Sequence, residues 1–177
     1  MAKILAFAGS NSSTSINYEL VKHTVSLFEN HDVQLLNMAN YPFPMYSEDL
    51  EKTEGFSNSL VEFKNDIQKS DALVISVSEH NSNPSAYFKN LLDWLSRLER
   101  KFLLDKKVLL MSTSMGKRGG IGALGVVESL IPRFGAEVVT TFSLPSFKES
   151  FSDEGHIVNQ ELASKHQEAV DTFLNTL

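Results

Sequence analysis

The sequence predicts a doubly wound α/β domain built on a five-stranded parallel sheet. Short apolar runs alternate with amphipathic runs, which is typical of strands joined by crossover helices. The run 71–77 is apolar almost throughout, as expected for a central strand covered by helices on both faces. Polar loops follow three of the apolar runs, and such loops gather at one edge of a parallel sheet, where ligands bind.

The predicted elements follow one another without an evident boundary, so we expect one domain over residues 1–177. Strands are expected at 3–8, 33–36, 71–77, 107–111 and 137–141, and the intervening segments, together with the C-terminal one, carry apolar residues at helical spacing. Pro132 should kink or end the fourth of these helices, and Gly135 should cap it. Residues 37–59 show no clear period. Within them, the aromatic segment Tyr41–Tyr46 favours a lid or a subunit contact over a plain packed loop.

Composition limits the function classes. The formal charge of −6 argues against general binding of nucleic acid, which needs a basic surface. The chain has no cysteine, which excludes disulfides, thiolate catalysis and cysteine zinc clusters and is compatible with a cytoplasmic location. No apolar run is long enough for a signal peptide or a membrane span. The histidines lack metal-ligand spacing, so no metal is expected, and we expect them to be solvated or on helix faces.

The loop after the first predicted strand, Gly9–Asn17, is rich in hydroxyl and amide side chains. A helix should begin at its end, and a helix N-terminus attracts anions, with phosphate as the leading candidate. The GxxxxGK[ST] and GxGxxG patterns are both absent, and no Lys or Arg lies between Lys3 and Lys22. A phosphate would therefore be held by N–H groups and hydroxyls alone. A polar turn with an ordinary helix cap explains the same residues and stays open as the alternative.

Four stretches together resemble the NAD(P)H-dependent FMN reductases of the flavodoxin-like superfamily, which includes quinone, azo and chromate reductases. They are Gly9-Ser10 with Ser15 and Asn17, then Pro44–Asp49, then Glu79-His-Asn81 with Lys89–Trp94, and finally Gly116–Gly120. The third stretch is the most specific, and the similarity runs from Ala2 to about Ala136. The resemblance implies a flavodoxin-like sandwich with strand order 2-1-3-4-5.

The resemblance also implies the chemistry. Bound FMN would pass reducing equivalents from NADPH or NADH to a flavin, a quinone or a similar small acceptor in a ping-pong exchange, so no catalytic side chain is expected. The nicotinamide and the acceptor would stack in turn beneath the segment Tyr41–Tyr46. The expected FMN contacts come from three loops: Ser10, Ser12, Ser15, Ile16 and Asn17; Ser78, Glu79, His80 and Asn81; and Ser112, Thr113, Ser114, Gly119 and Gly120.

The chain departs from this family at two positions. Ser12 stands where an arginine is common, so we expect weaker charge compensation for the phosphate, and His80 replaces a usual tyrosine. Two alternatives remain open: a flavodoxin-type electron carrier, and a domain of this fold that binds or scaffolds without activity. The resemblance further implies a homodimer or homotetramer, and no nucleic-acid or membrane partner is expected.

Overall fold

The computed structural model describes residues 1–177 and contains one five-stranded parallel sheet. The strands are β1 (Lys3–Gly9), β2 (Asp32–Leu36), β3 (Ala72–Val77), β4 (Glu79–His80), β5 (Asn83–Pro84), β6 (Lys107–Thr113) and β7 (Glu137–Leu144). The large sheet has the order β2-β1-β3-β6-β7, and β4 and β5 form a separate antiparallel hairpin. Counting only the strands of the large sheet, this is the expected order 2-1-3-4-5. The expected α/β fold is therefore confirmed.

Seven helices accompany the strands: α1 (Ile16–Ser26), α2 (Glu48–Glu54), α3 (Asn58–Lys69), α4 (Ala86–Leu98), α5 (Ile121–Leu130), α6 (Phe147–Ser150) and α7 (Gln160–Leu174). Helices α1 and α7 cover one face of the sheet, with Leu20 and Phe173 in one apolar core. Helices α3, α4 and α5 cover the other face, with Phe63, Phe88 and Val127 in the second core. None of the helices combines the length and apolar composition that a membrane span requires.

The structure adds elements that the periodicity did not reveal. Helix α2 lies in the segment 37–59, and none of its residues is buried, so it carries no apolar period to detect. Its start depends on Ser47, whose side chain accepts a hydrogen bond from the Leu50 N–H. The predicted end of α5 is confirmed, since a 3-10 turn follows at Ile131–Phe134 and Gly135 adopts a φ of 104°.

A histidine pair is enclosed between α1 and α7. His166 lies on the buried face of α7 and is 1% exposed. Its ring stacks on His23 at 5.1 Å, and its Nε2 lies 2.9 Å from the Thr24 hydroxyl. Burial, together with the neighbouring His23, lowers the pKa of His166 to about 4, and burial together with His156 also lowers the pKa of His23. The folded protein therefore holds His166 neutral.

This depressed pKa predicts a loss of stability in mild acid. Between an unfolded pKa of about 6.5 and a folded pKa of about 4, only the unfolded chain binds the proton at His166. The free energy of unfolding should therefore be highest above pH 6.5 and should fall by about 3 kcal/mol toward pH 4. Urea unfolding of His166→Gln should show a smaller fall, and His80→Gln, at an exposed position, should keep the wild-type fall. Equal pH dependence in all three proteins would contradict this role.

Candidate functional site

Two adjoining clefts lie at the carboxyl edge of the sheet. The first has a volume of about 290 Å³ and is lined by residues of the loops after β1, β3 and β6. The second has a volume of about 480 Å³ and lies between the loop after β1, helix α4 and the segment Tyr41–Tyr46. His80 lines both, and we refer to the two clefts together as the groove. Its size is typical of small-molecule and cofactor sites, which span roughly 300 to 1,000 Å³.

The loop between β1 and α1 borders the first cleft and contains backbone donors that have no protein acceptor. The N–H groups of Ser12 and Thr14 bond weakly to hydroxyls within the loop, at 3.3 Å. The N–H groups of Ser10, Asn11 and Ser13 donate to no protein acceptor. Because the loop precedes the amino end of α1, these donors add to the positive end of the helix dipole. The loop can hold a phosphate monoester without a cation.

Asn17 lies at the base of this loop, and its side chain faces the protein. It is 2% exposed. Its Oδ1 accepts hydrogen bonds from the Ser76 hydroxyl at 2.7 Å and the Thr113 N–H at 3.0 Å, while its Nδ2 donates to the Thr113 carbonyl at 3.2 Å. One amide therefore ties the start of α1 to β3 and to the end of β6. Most of its hydrogen-bonding capacity is used by the protein.

Close packing also fixes the end of β1. The carbonyl of Gly9 accepts hydrogen bonds from the hydroxyls of Ser78 and Ser85, at 3.1 and 2.8 Å. A Cβ at Gly9 would lie 2.5 Å from the Phe88 ring, so no larger residue fits here. The end of β1 is thus joined to the loop after β3 and to the start of α4.

Glu79 and His80 begin a hairpin that borders the groove. Asn81 and Ser82 form its two-residue turn with positive φ angles of 53° and 61°, as in the tight turns that match the twist of paired strands. The Glu79 carboxylate accepts a hydrogen bond from the Ala123 N–H at 3.0 Å. Gly120, which precedes α5, has no side chain to cap the helix, and Glu79 supplies the missing acceptor. His80 is exposed and lines the groove.

At the end of β6 and in the loop after it, some residues line the first cleft and others are buried in the protein. Thr113, Ser114 and Met115 line the first cleft. Ser112, Gly119 and Gly120 do not line it. The hydroxyl of Ser112 donates to the Gly119 carbonyl at 2.8 Å, and Gly119 and Gly120 have φ angles of 60° and 79°. The two glycines therefore allow the loop to turn and pack on the protein, rather than opening a path to the cleft.

Helix α4 holds the segment Tyr41–Tyr46 in place through backbone contacts. Asn90 donates to the Pro44 carbonyl at 3.0 Å and accepts from the Tyr46 N–H at 2.7 Å. Trp94 donates to the same carbonyl at 2.8 Å, and its ring lies 5.1 Å from the Tyr46 ring, edge to face. In this conformation the segment is a packed wall of the second cleft. The expectation of a lid or a subunit contact stays a prediction.

A second group of contacts fixes the two ends of this wall. The Tyr87 hydroxyl donates to the Tyr41 carbonyl at 2.9 Å, and burial raises the pKa of Tyr87, which keeps it a donor. The Tyr46 hydroxyl donates to Glu51 at 2.8 Å, and Arg97 donates to the same carboxylate at 2.9 Å. Two hydrogen bonds lower the pKa of Glu51: the larger effect comes from Arg97 and the smaller one from Tyr46.

The structure brings most of the expected FMN contacts into one place. Ten of them line the first cleft: Ser10, Ser12, Ser15, Ile16, Asn17, Ser78, Glu79, His80, Thr113 and Ser114. Asn81 lies in the hairpin turn, and Ser112, Gly119 and Gly120 lie below the surface of the loop. The site prediction omitted Asn11, Thr14 and Met115, which also line the groove. Asn11 and Thr14 belong to the polar loop itself, so its composition was a usable signal for them.

The family is established by sequence. The sequence model of the NADPH-dependent FMN reductase family matches residues 2–149, which include every loop of the groove. The chain belongs to that family. Among its relatives, the quinone reductase of Escherichia coli K12 is 38% identical over 77 residues, which are 44% of this chain and 41% of that protein. The aligned part of this chain thus spans about two fifths of that relative.

A longer alignment supports the relationship to this group of enzymes, and a solved structure supports the fold. The NADPH:quinone oxidoreductase of Arabidopsis thaliana is 28% identical over 171 residues, which are 90% of this chain and 84% of that protein. The flavoenzyme NAD(P)H:(acceptor) oxidoreductase FerB of Paracoccus denitrificans has a TM-score of 0.80 at 24% identity, over 99% of this chain and 96% of that one. This likeness in structure establishes the fold.

Asn17 gives a test of the architecture of the site. Asn17→Ala should lower the free energy of unfolding by roughly 2 to 4 kcal/mol, because it leaves the Ser76 hydroxyl and the Thr113 N–H buried without partners. Denaturant unfolding without added cofactor measures this loss. Ser12→Ala, an exposed change in the same loop, should stay within about 0.5 kcal/mol of the wild type. An unchanged stability for Asn17→Ala would show that the amide does not support the site.

Proposed function

We propose that this protein is an NAD(P)H-dependent, FMN-containing oxidoreductase that reduces flavins, quinones or similar small acceptors. The observation that carries the proposal is the loop Ser10–Ser15, which presents unpartnered N–H groups at the amino end of α1 within a cleft. Such a loop fits a phosphate monoester, and the groove continues toward α4 with room for a flat ring system. Membership of the NADPH-dependent FMN reductase family supports the same cofactor.

The residues present fit FMN in defined roles. Ser10 and Ser12 would bind the phosphate with the loop N–H groups, while Ser15 caps α1 through its bond from the Tyr18 N–H at 3.2 Å. Asn17 would act by holding the loop on β3 and β6. Ser78, His80 and Ser114 line the groove on either side of the remaining cofactor. Glu79 would fix the hairpin through α5 and leave its backbone to face the ring.

Bound FMN supplies the redox chemistry, in which NAD(P)H and a proton convert a quinone to a hydroquinone with release of NAD(P)⁺. The protein's own residues bind, orient and limit access. The wall formed by Tyr41–Tyr46 and the hairpin at His80 leave a cleft between them, which would admit the nicotinamide and then the acceptor. Since the wall is fixed by α4, exchange requires no opening of this segment.

The proposal predicts that the purified protein binds FMN and turns yellow. Anaerobic NADPH or NADH should then bleach the bound flavin, and an added quinone should restore the colour. A protein that stays colourless with excess FMN, with an unchanged melting temperature, would contradict the proposal. Binding and colour without oxidation of either nicotinamide would instead indicate the electron-carrier alternative.

Matched variants of Ser12 isolate the contribution of the loop. Ser12→Arg adds the cation that the family often has, and it should tighten FMN binding by about tenfold through a charge-assisted bond to phosphate. Riboflavin lacks the phosphate, so its affinity should not change. Ser12→Asp should weaken FMN binding by a similar factor and leave riboflavin unaffected. Parallel changes for both flavins would place the phosphate elsewhere.

We further propose that the protein works as a homodimer or homotetramer in the cytoplasm. The resemblance to the family implies such an assembly, and helix α5 exposes two apolar side chains, Ile121 at 53% and Val126 at 39%, which a subunit interface would cover. Light scattering should give two or four times the chain mass of 19.7 kDa, and Ile121→Glu should shift the mass toward one chain. A monomeric wild type would contradict the assembly.

A further inference from the structure

One side chain on the wall of the second cleft stands apart from its neighbours. Met45 is 69% exposed, whereas Tyr41, Phe43 and Tyr46 are partly buried against the main core. Met45 lines the second cleft together with His80 and Asn11. These two residues belong to loops that we assign to the cofactor. An exposed apolar side chain therefore shares this cleft with residues of the proposed FMN site.

Asn90 holds the backbone on both sides of Met45. The carbonyl of Pro44, just before Met45, accepts a hydrogen bond from the Asn90 amide. The N–H of Tyr46, just after Met45, donates one to the Asn90 amide oxygen. Asn90 is itself 5% exposed, so this pair of hydrogen bonds is shielded from water. With its two neighbours fixed, Met45 cannot turn into the core to bury its side chain.

The hydrogen bonds from α4 to the wall all reach backbone atoms. Asn90, Trp94 and Tyr87 bond to carbonyls or an N–H of the segment, and none of them bonds to the side chain of Met45. The position of the wall is thus set independently of what residue 45 is. The thioether of methionine is flexible and polarisable, and it adapts to flat apolar surfaces of different shape.

We propose that Met45 is the specificity-determining residue for the electron acceptor and that Asn90 is the residue that positions it. Met45 contacts the apolar face of an uncharged, flat acceptor, such as an alkylated benzoquinone, while the acceptor stands over the cofactor. The inference rests on the proposed function and names the residue that makes this site prefer apolar acceptors over inorganic anions.

The test uses the FMN-loaded enzyme with two acceptors, a methylated 1,4-benzoquinone and ferricyanide. Met45→Gln keeps the length of the side chain but makes it polar. The KM for the quinone should rise about tenfold, as expected for the loss of an apolar contact in a binding pocket. The KM for ferricyanide, an anion that needs no apolar wall, should stay within twofold. Leu104→Gln is the matched control, since Leu104 is 57% exposed and lies before β6 at the opposite edge of the sheet.

Asn90→Ala tests the positioning role. It removes the acceptor for the Tyr46 N–H and the donor to the Pro44 carbonyl without adding a charge to the cleft, so the quinone KM should rise while that of ferricyanide does not. Because Asn90 acts through Met45, the double variant should be no worse for the quinone than Met45→Gln alone. A general structural role would instead change both acceptors equally.

The outcomes separate the two levels of the proposal. A wild type without FMN binding or nicotinamide oxidation removes the proposed function. An active wild type in which Met45→Gln keeps its quinone KM overturns the role of Met45 and leaves the proposed function intact. Additive effects of the Met45 and Asn90 substitutions overturn the positioning role.

Discussion

The site depends first on the side chain of Asn17. The amide lies between three elements that are distant in sequence, namely the first turn of α1, the strand β3 and the end of β6. A buried amide with paired donors and acceptors fixes distance and orientation together, because each lost bond leaves a polar group unsatisfied. The loop that presents N–H groups to the groove therefore stands on a rigid base. Asn17 lines the cleft where a cofactor contact was expected, but its side chain mainly holds the loop in place.

Other residues around the groove also fall into two groups: side chains that hold the loops in place and side chains that are exposed to a ligand. Glu79 caps α5, Ser85 and Ser78 hold the Gly9 carbonyl, and Ser112 holds the Gly119 carbonyl. The hydrogen bonds of these residues bring the loop backbones close together and occupy polar atoms of their side chains. The exposed residues between them, such as Ser12 and His80, are left free to contact a ligand. Substitutions at the two kinds of position should therefore differ in whether they change stability or binding.

The apolar patterns of the sequence predicted the strands and most of the helices, whereas the strand order and most of the groove residues were predicted from the resemblance to the family. The apolar run of β3 and the helical period of α4 required no long-range information. Helix α2 was not predicted because it buries no residue. The hairpin at Asn81 was not predicted because its turn contains neither Asn-Gly nor Gly-Gly. The clamp of Asn90 on Pro44 joins residues 46 positions apart, and no local pattern reveals such a contact.

The carboxylate of Glu79 at the amino end of α5 has a consequence for polarity. Helix α4 begins nearby with its own Ser85 hydroxyl bonded to the Phe88 N–H at 3.1 Å, so that end is also occupied. The start of α1 is capped in the same way by Ser15, which accepts from the Tyr18 N–H. Among the helices that follow β1, β3 and β6, only α5 therefore has a carboxylate bonded to an N–H group of its first turn. A phosphate is repelled by that carboxylate, so a phosphorylated ligand should enter the groove with its phosphate toward α1 and away from α5.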